Sequence, residues 1–230
     1  PALWIDGASA DRILGKRGRT LADLKATRDA GEPGRSFGTG VRVALEVNAQ
    51  FWPAVKGHNV LAGIRGTDPD LRHEVVLVGA HLDHLGTDAT GRVFNGADDN
   101  ASGAAVLLAL AETLKDNRFR PLRTVVFCWF GAEEQGLEGS RALAAFRPFP
   151  HRSLVAVLNV DMAGVGRPEV AIGGGEAYPQ VFDLAAGACP KPYAASLTPF
   201  RVGPNSDHWP FYERGIPALF FHSLGDRPNY

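Results

Sequence analysis

The sequence predicts an α/β domain with a mixed, mostly parallel central sheet and helices on both faces. Three observations predict it. Several apolar runs have the length of buried strands, segments of helical periodicity alternate with them, and 230 residues suffice for one large domain but not for two comfortable ones. Composition agrees, at 45% hydrophobic and 21% charged residues. With 24 basic and 25 acidic residues the net charge is −1, so neither a nucleic-acid partner nor a disordered charged tail is expected. No apolar run nears the roughly 20 residues that span a bilayer, so no membrane association is expected.

Residues 1–40 read as a short strand (Ala2–Ile5), a helix over Ser9–Arg28, and a Gly/Pro-rich linker, GEPGRSFGTG, that marks a domain seam. Two alternating segments, VRVALEV (41–47) and HNVLAGI (58–64), read as a hairpin at a sheet edge. From Arg72 the pattern changes. HEVVLVGAHLD is continuously apolar, as a strand buried on both faces is. SGAAVLLALAETLK (102–115) has helical periodicity. There follow TVVFCWF (strand), LEGSRALAAF (helix), SLVAVLNV and EVAIG (strands), YPQVFDLAAGA (helix), DHWPFYERG (short helix) and IPALFF (strand). Cys128, inside TVVFCWF, reads as a buried small hydrophobe rather than half of a disulfide.

In such sheets chemistry sits beyond the carboxyl ends of the strands. Four segments place His, Asp or Glu there. In GAHLDHLG, His81 and Asp83 are two apart and project to one side. In NGADDNASG (95–103), Asp98, Asp99, Asn100 and Ser102 could each cap the helix that follows, but two consecutive aspartates exceed what a cap needs. In WFGAEEQGLEGS (129–140), Glu133 and Glu134 are adjacent and point different ways, so one can bind metal while the other faces substrate. Such a pair is costly to desolvate unless a cation compensates it. In NVDMAG, Asp161 again ends an apolar strand. Together these are more ligands than one tetrahedral zinc accepts. A two-metal site about 3.5–4 Å across, hydrolysing through an activated water with a free glutamate as proton acceptor, accommodates them.

In order from about Asn59 to Phe221, GAHLDHLG, GADDNASG, GAEEQGLEGS, NVDMAG and SDHWPFYERGIPALFF closely resemble the zinc-dependent aminopeptidase family of secreted bacterial leucine aminopeptidases. Carboxypeptidase Q, glutamate carboxypeptidase II and glutaminyl cyclase are relatives of that family. The resemblance implies a zinc-peptidase, phosphorylase/hydrolase-like fold, two zinc ions per active site and hydrolysis of N-terminal peptide bonds. It also implies a peptide substrate and a secreted or periplasmic location. A glutaminyl-cyclase-like acyltransferase, with one functional zinc, and a non-catalytic binding relative are the alternatives.

Residue by residue, the resemblance implies that His81 and Glu134 share one zinc, Asp161 binds the other, and Asp99 bridges both through a cis Asp99–Asn100 peptide. Glu133 resembles the general acid/base and Asp83 a residue that orients the site. Asp207, His208, Trp209, Phe211 and Tyr212 read as lining or backing a substrate pocket, and Arg201 as a contact for a substrate carboxylate. IGGGEA (172–177) lacks the spacing of a nucleotide-binding loop.

Residues 1–40 resemble the tail of a protease-associated insert domain, with the catalytic domain at 41–230. The chain begins at Pro1 and its only methionine is Met162, so a longer natural chain is expected. In the family a final histidine directly follows a tyrosine and binds the zinc also held by Asp161. This sequence stops at Tyr230, so that ligand is expected one residue further on, and His222 is not expected to replace it.

Overall fold

The computed structural model describes residues 5–44, 46, 55–88, 90–146, 148–149, 153–190 and 197–225. The chain divides into two compact units, residues 1–54 and 55–230.

In the first unit the single helix expected over Ser9–Arg28 is two: α1 (Gly7–Gly15) and α2 (Leu21–Asp29). Gly18 takes the left-handed conformation (φ 64°), which ends the first helix at no steric cost. Thr20 then starts the second with a capping box. Its hydroxyl accepts from the Asp23 N–H, and the Asp23 carboxylate accepts from the Thr20 N–H. The Ala2–Ile5 strand falls outside the described residues except for Ile5, which is not in a strand. The first arm of the hairpin expected at 41–47 also fails: residues 41–44 and 46 form no strand, and the others lie outside the described residues.

The second unit carries a seven-stranded mixed sheet. Its strands are β1 (Val60–Ile64), β2 (Val75–His81), β5 (Thr124–Phe130), β6 (Leu154–Val160), β7 (Arg167–Gly173), β8 (Leu197–Phe200) and β9 (Ala218–Leu224). A separate two-residue ladder joins β3 (Gly86–Thr87) to β4 (Val93–Phe94). The order across the main sheet is β1-β5-β2-β6-β9-β7-β8. β5, β2, β6 and β9 run parallel, while β1 pairs antiparallel with β5 and β7 antiparallel with β9. The strand expected within HNVLAGI thus exists, but its partner is β5.

Alternation along β2 feeds two cores. Leu77 joins Val126, Cys128, Phe130 and Val157 on one face, under Leu143 of α4 (Glu138–Phe146) and Phe211 of α6 (Trp209–Tyr212). Val78 and Ala80 join Phe127 on the other, under Leu107 of α3 (Gly103–Asp116). A further helix, α5, spans Pro179–Ala188. Each fully buried Leu or Phe stabilises this packing by about 1.5–3 kcal/mol. Both cysteines are free, and burial pushes the Cys128 thiol up.

The strand order positions the site. In the central trio, Gly79 of β2 lies opposite Cys128 of β5 and Asn159 of β6. The carboxyl ends of all three strands therefore emerge side by side, roughly 4.8 Å apart.

Candidate metal centre

β2 delivers His81 at its last residue, 1% exposed, and the residue after β6 is Asp161, 6% exposed. Asp99, 8% exposed, comes from a π-helical turn, Ala97–Ser102, that leads into α3. The Asp99–Asn100 peptide is cis.

The residues around Asp99 are occupied with bolting that turn to the loop after β6. Asn100 donates through Nδ2 to the Val160 carbonyl (3.0 Å), and its Oδ1 accepts from the Gly103 and Met162 N–H groups (2.9 and 3.2 Å). Ser102 Oγ accepts from Ala163 N–H (2.9 Å), and Asp98 Oδ1 from Gly164 N–H (2.8 Å). Of the candidate caps, only Asp99 turns its carboxylate to the sheet edge. At Gly103 there is no room for a side chain, since an added methyl would meet Asn100 Oδ1 and the Val160 carbonyl. Gly103→Ala should therefore cost about 1–3 kcal/mol of stability and weaken zinc binding, read by chemical unfolding and zinc titration. Unchanged values in both would show that the loops yield freely.

After β5 the chain turns through Ala132, in the left-handed region (φ 57°), to Glu133 and Glu134. Asp83 fixes that turn from the neighbouring loop. Its Oδ1 accepts from the Glu133 N–H (3.0 Å) and its Oδ2 from the Glu134 N–H (3.2 Å). Asp83 thus anchors the backbone of both glutamates.

Among the described residues the potential ligand atoms form two groups, His81 with Glu133 and Asp161, and His84 with Asp99 and Glu134. His81 Nε2 lies 3.0 Å from Asp99 Oδ1 and 3.4 Å from Asp161 Oδ1. His84 Nδ1 lies 2.8 Å from Glu134 Oε1 and 3.9 Å from Asp99 Oδ2. The two oxygens of Asp99 therefore face different groups. This pairing differs from the one expected, since His81 stands with Asp161 and not with Glu134. The reason is topological: β2 and β6 are adjacent, and the two residues that end them converge.

The electrostatics call for a cation. Burial opposes a charge on His81, yet the Asp161 and Asp99 carboxylates override it and push its pKa up to about 11. Burial pushes Glu133 up to about 8, against the lowering effect of His81 and with Asp207 and Asp161 adding to the rise. Burial, then the nearby Asp99, also raises Glu134. Asp161 Oδ1 is buried without a well-formed hydrogen bond among the described residues. His81 Nδ1 sits 3.0 Å from the Asp83 carbonyl, which can only accept, so Nδ1 carries a hydrogen and Nε2 is the ring atom left to bind metal. A divalent ion would displace the Nε2 proton and satisfy the orphaned oxygen together. The donor set of imidazole and carboxylates fits zinc.

Three residues the sequence reading missed support this layer. Ser206 Oγ donates to Asp161 Oδ2 (2.6 Å) and accepts from Asn159 Nδ2 (2.8 Å). Both are polar neighbours of residues already marked, in SDH and NVD, and that adjacency was the available signal. His84 is the third; it lies within the GAHLDHLG segment, three residues after His81.

The remaining candidates are placed differently. Asp207 and His208 are fully buried, so they stand behind the ligand layer rather than on a pocket surface. Burial pushes Asp207 up to about 7. Burial pushes His208 down to about 4, and its ring stacks on Phe220 at 4.8 Å. Phe211 is core, while Tyr212 packs on Trp209 and Tyr178. Arg201 is exposed, 4.0 Å from Glu176, and belongs to neither donor group. His222 packs against Phe200 and Phe220 and is likewise in neither group. Tyr230 lies outside the described residues.

Fold and cluster define a class of α/β proteins that build a metal centre at the carboxyl edge of a mixed sheet. Within that class the chain belongs to peptidase family M28, whose profile matches residues 59–230. It is 39% identical over 113 residues to leucine aminopeptidase 1 of Trichophyton rubrum, a match covering 46% of this chain and 29% of that protein. An aminopeptidase from Aneurinibacillus sp. strain AM-1 superposes with a TM-score of 0.62 at 28% identity, over 75% of this chain and 40% of that one. A zinc aminopeptidase from Bacillus subtilis gives 0.58 at 28% identity, over 75% and 42%. The chain thus spans less than half of the length of each of these three relatives.

Proposed function

We propose that this chain forms the catalytic core of a two-zinc aminopeptidase that releases N-terminal residues from peptides. The observation that carries the reading is the placement of Asp99, whose two oxygens face two separate donor groups at 3.0 and 3.9 Å. His81 and Asp161 would hold one ion, Glu134 would contribute to the other, and Asp99 would bridge them. The names of the similar enzymes support a peptide substrate and zinc.

Bound zinc supplies Lewis acidity, polarising the scissile carbonyl and making a water acidic enough to lose its proton near neutral pH. The chain's own residues do the rest. Glu133 accepts the proton of the attacking water, whose oxygen bonds to the carbonyl carbon. It then returns that proton to the leaving amine as the C–N bond breaks. Burial keeps its carboxyl basic enough for that role, since a proton carrier works best near the operating pH. Asp83 holds Glu133 by its amide, and Ser206 fixes the rotation of Asp161.

The test uses the natural full-length protein with a panel of aminoacyl anilides and the same compounds N-acetylated. Release from the free amines alone, abolished by a chelator and restored by zinc, is the expected result. No release, or equal release from the blocked compounds, would defeat the aminopeptidase reading.

A further inference from the structure

We propose that the first unit carries an anion site, a groove in which Arg17, Arg19 and Arg35 bind a dianionic phosphate group, free or as a monoester. The groove encloses about 570 Å³ and is lined by these three arginines with Ser36, Phe37 and Gly38. It lies wholly within residues 1–54, and it would bind its ligand whatever bond the second unit cleaves.

The sequence concentrates charge there. No acidic residue occurs from Arg12 to Ala22 or from Pro33 to Leu45. The first stretch supplies KRGR (16–19), at the turn between α1 and α2, and the second supplies Arg35. Folding brings both stretches to one groove without a built-in counter-ion. Among the described residues the arginine ion pairs are Arg28–Asp29, Arg123–Glu74 and Arg201–Glu176, and Arg17, Arg19 and Arg35 make none. Asp23 is influenced by Arg19 only after Thr20, whose hydroxyl and N–H occupy its Oδ2 (2.8 and 2.7 Å).

Two of the guanidiniums are held before any ligand arrives. Arg17 donates through Nε to the Gly38 carbonyl (3.0 Å), which leaves its terminal nitrogens uncommitted among the described residues. Arg19 lies over the Phe37 ring, 5.0 Å from its centre, a contact with the ring face that spends none of its N–H donors. Arg35 and the Ser36 hydroxyl make no side-chain hydrogen bond among the described residues and complete the donor set. Groups held in advance lose less freedom on binding, which is the usual cost of recruiting long side chains.

Three positive charges favour a dianion over a singly charged carboxylate. Guanidinium forks also match the paired oxygens of phosphate, which accept two parallel N–H bonds at a time. Phe37, 39% exposed, offers apolar surface to the group that an ester carries.

The simpler state of such arginines is a solvated surface with no ligand, and titration separates the two. The full-length, zinc-loaded protein is titrated calorimetrically with inorganic phosphate, phenyl phosphate and succinate at about pH 7.5, where phosphate esters are mostly dianions. Low ionic strength keeps exposed charges from being screened. Wild type is compared with Arg19→Ala and Arg35→Ala, both exposed positions whose melting curves should match wild type. Phosphate held at the metal centre persists in these variants, so only the component they remove belongs to the groove.

The expected result is one such phosphate per chain, bound about 10–100-fold more weakly in each variant, the usual worth of a hydrogen bond to a charged group. Phenyl phosphate binding more tightly than phosphate would identify an ester as the ligand, and the reverse order the free ion. Three results would overturn the site: equal phosphate binding in wild type and both variants, succinate binding as tight as phosphate, or no saturable component by about 10 mM.

Discussion

Glu133→Gln should leave two zinc ions in place and lower kcat by about 10²–10⁴-fold, the usual contribution of a positioned proton carrier. The carboxamide matches the carboxylate in size and keeps the Glu133 N–H bond to Asp83, so the loop has no reason to move. What is lost is basicity. Burial, with Asp207 and Asp161 reinforcing it, raises the affinity of this carboxyl for a proton. Although Glu133 falls in the donor group of His81, that position also has Asp99 at 3.0 Å and Asp161 at 3.4 Å and retains a full set without it. Glu134→Gln is the contrast: it should weaken one metal position, visible as fractional zinc content. Metal analysis beside steady-state kinetics checks both. Equal loss of rate with full metal in both variants would show that the two glutamates have been given the wrong roles.

Asp99→Asn should have the widest effect of any single substitution in the cluster. Its two oxygens face the two groups, so one change of charge weakens both positions at once. Affinity should fall by more than about 10²-fold at each, and activity should reach background at micromolar zinc. Zinc should raise the melting temperature of wild type, as any ligand of the native state does, and should leave that of the variant unmoved. Two zinc ions per chain in Asp99→Asn, bound as tightly as in wild type, would remove Asp99 from the bridge.

The central strands were legible because burial on both faces writes them as unbroken apolar runs. β2, β5, β6 and β9 each show one, and the chemistry begins where the run stops, at His81, Glu133 and Asp161. The elements that went unread carry little hydrophobic signal. The ladder of β3 and β4 is two residues long, and β8 contains Pro199. The helix expected across Ser9–Arg28 hid a break whose marks, Gly18 and the Thr20-x-x-Asp23 box, were local and outweighed the period. Residue types at the site could be read from strand ends, but the pairing of His81 with Asp161 could not. Pairing depends on the order β5-β2-β6, which no single segment encodes. His84 escaped notice for a related reason: its partner, Glu134, is distant in sequence and meets it only across that order.

The fork made by Asp83 bears on how such a site can drift over generations. One carboxylate grips the amides of both Glu133 and Glu134, so neither glutamate can shift without its neighbour. A mutation that loosens this loop moves the proton carrier and a candidate ligand together. Speed and metal retention are thereby tied into one heritable trait. Selection in a zinc-poor habitat and selection for faster turnover would press on the same few atoms, and neither could be answered here without disturbing the other.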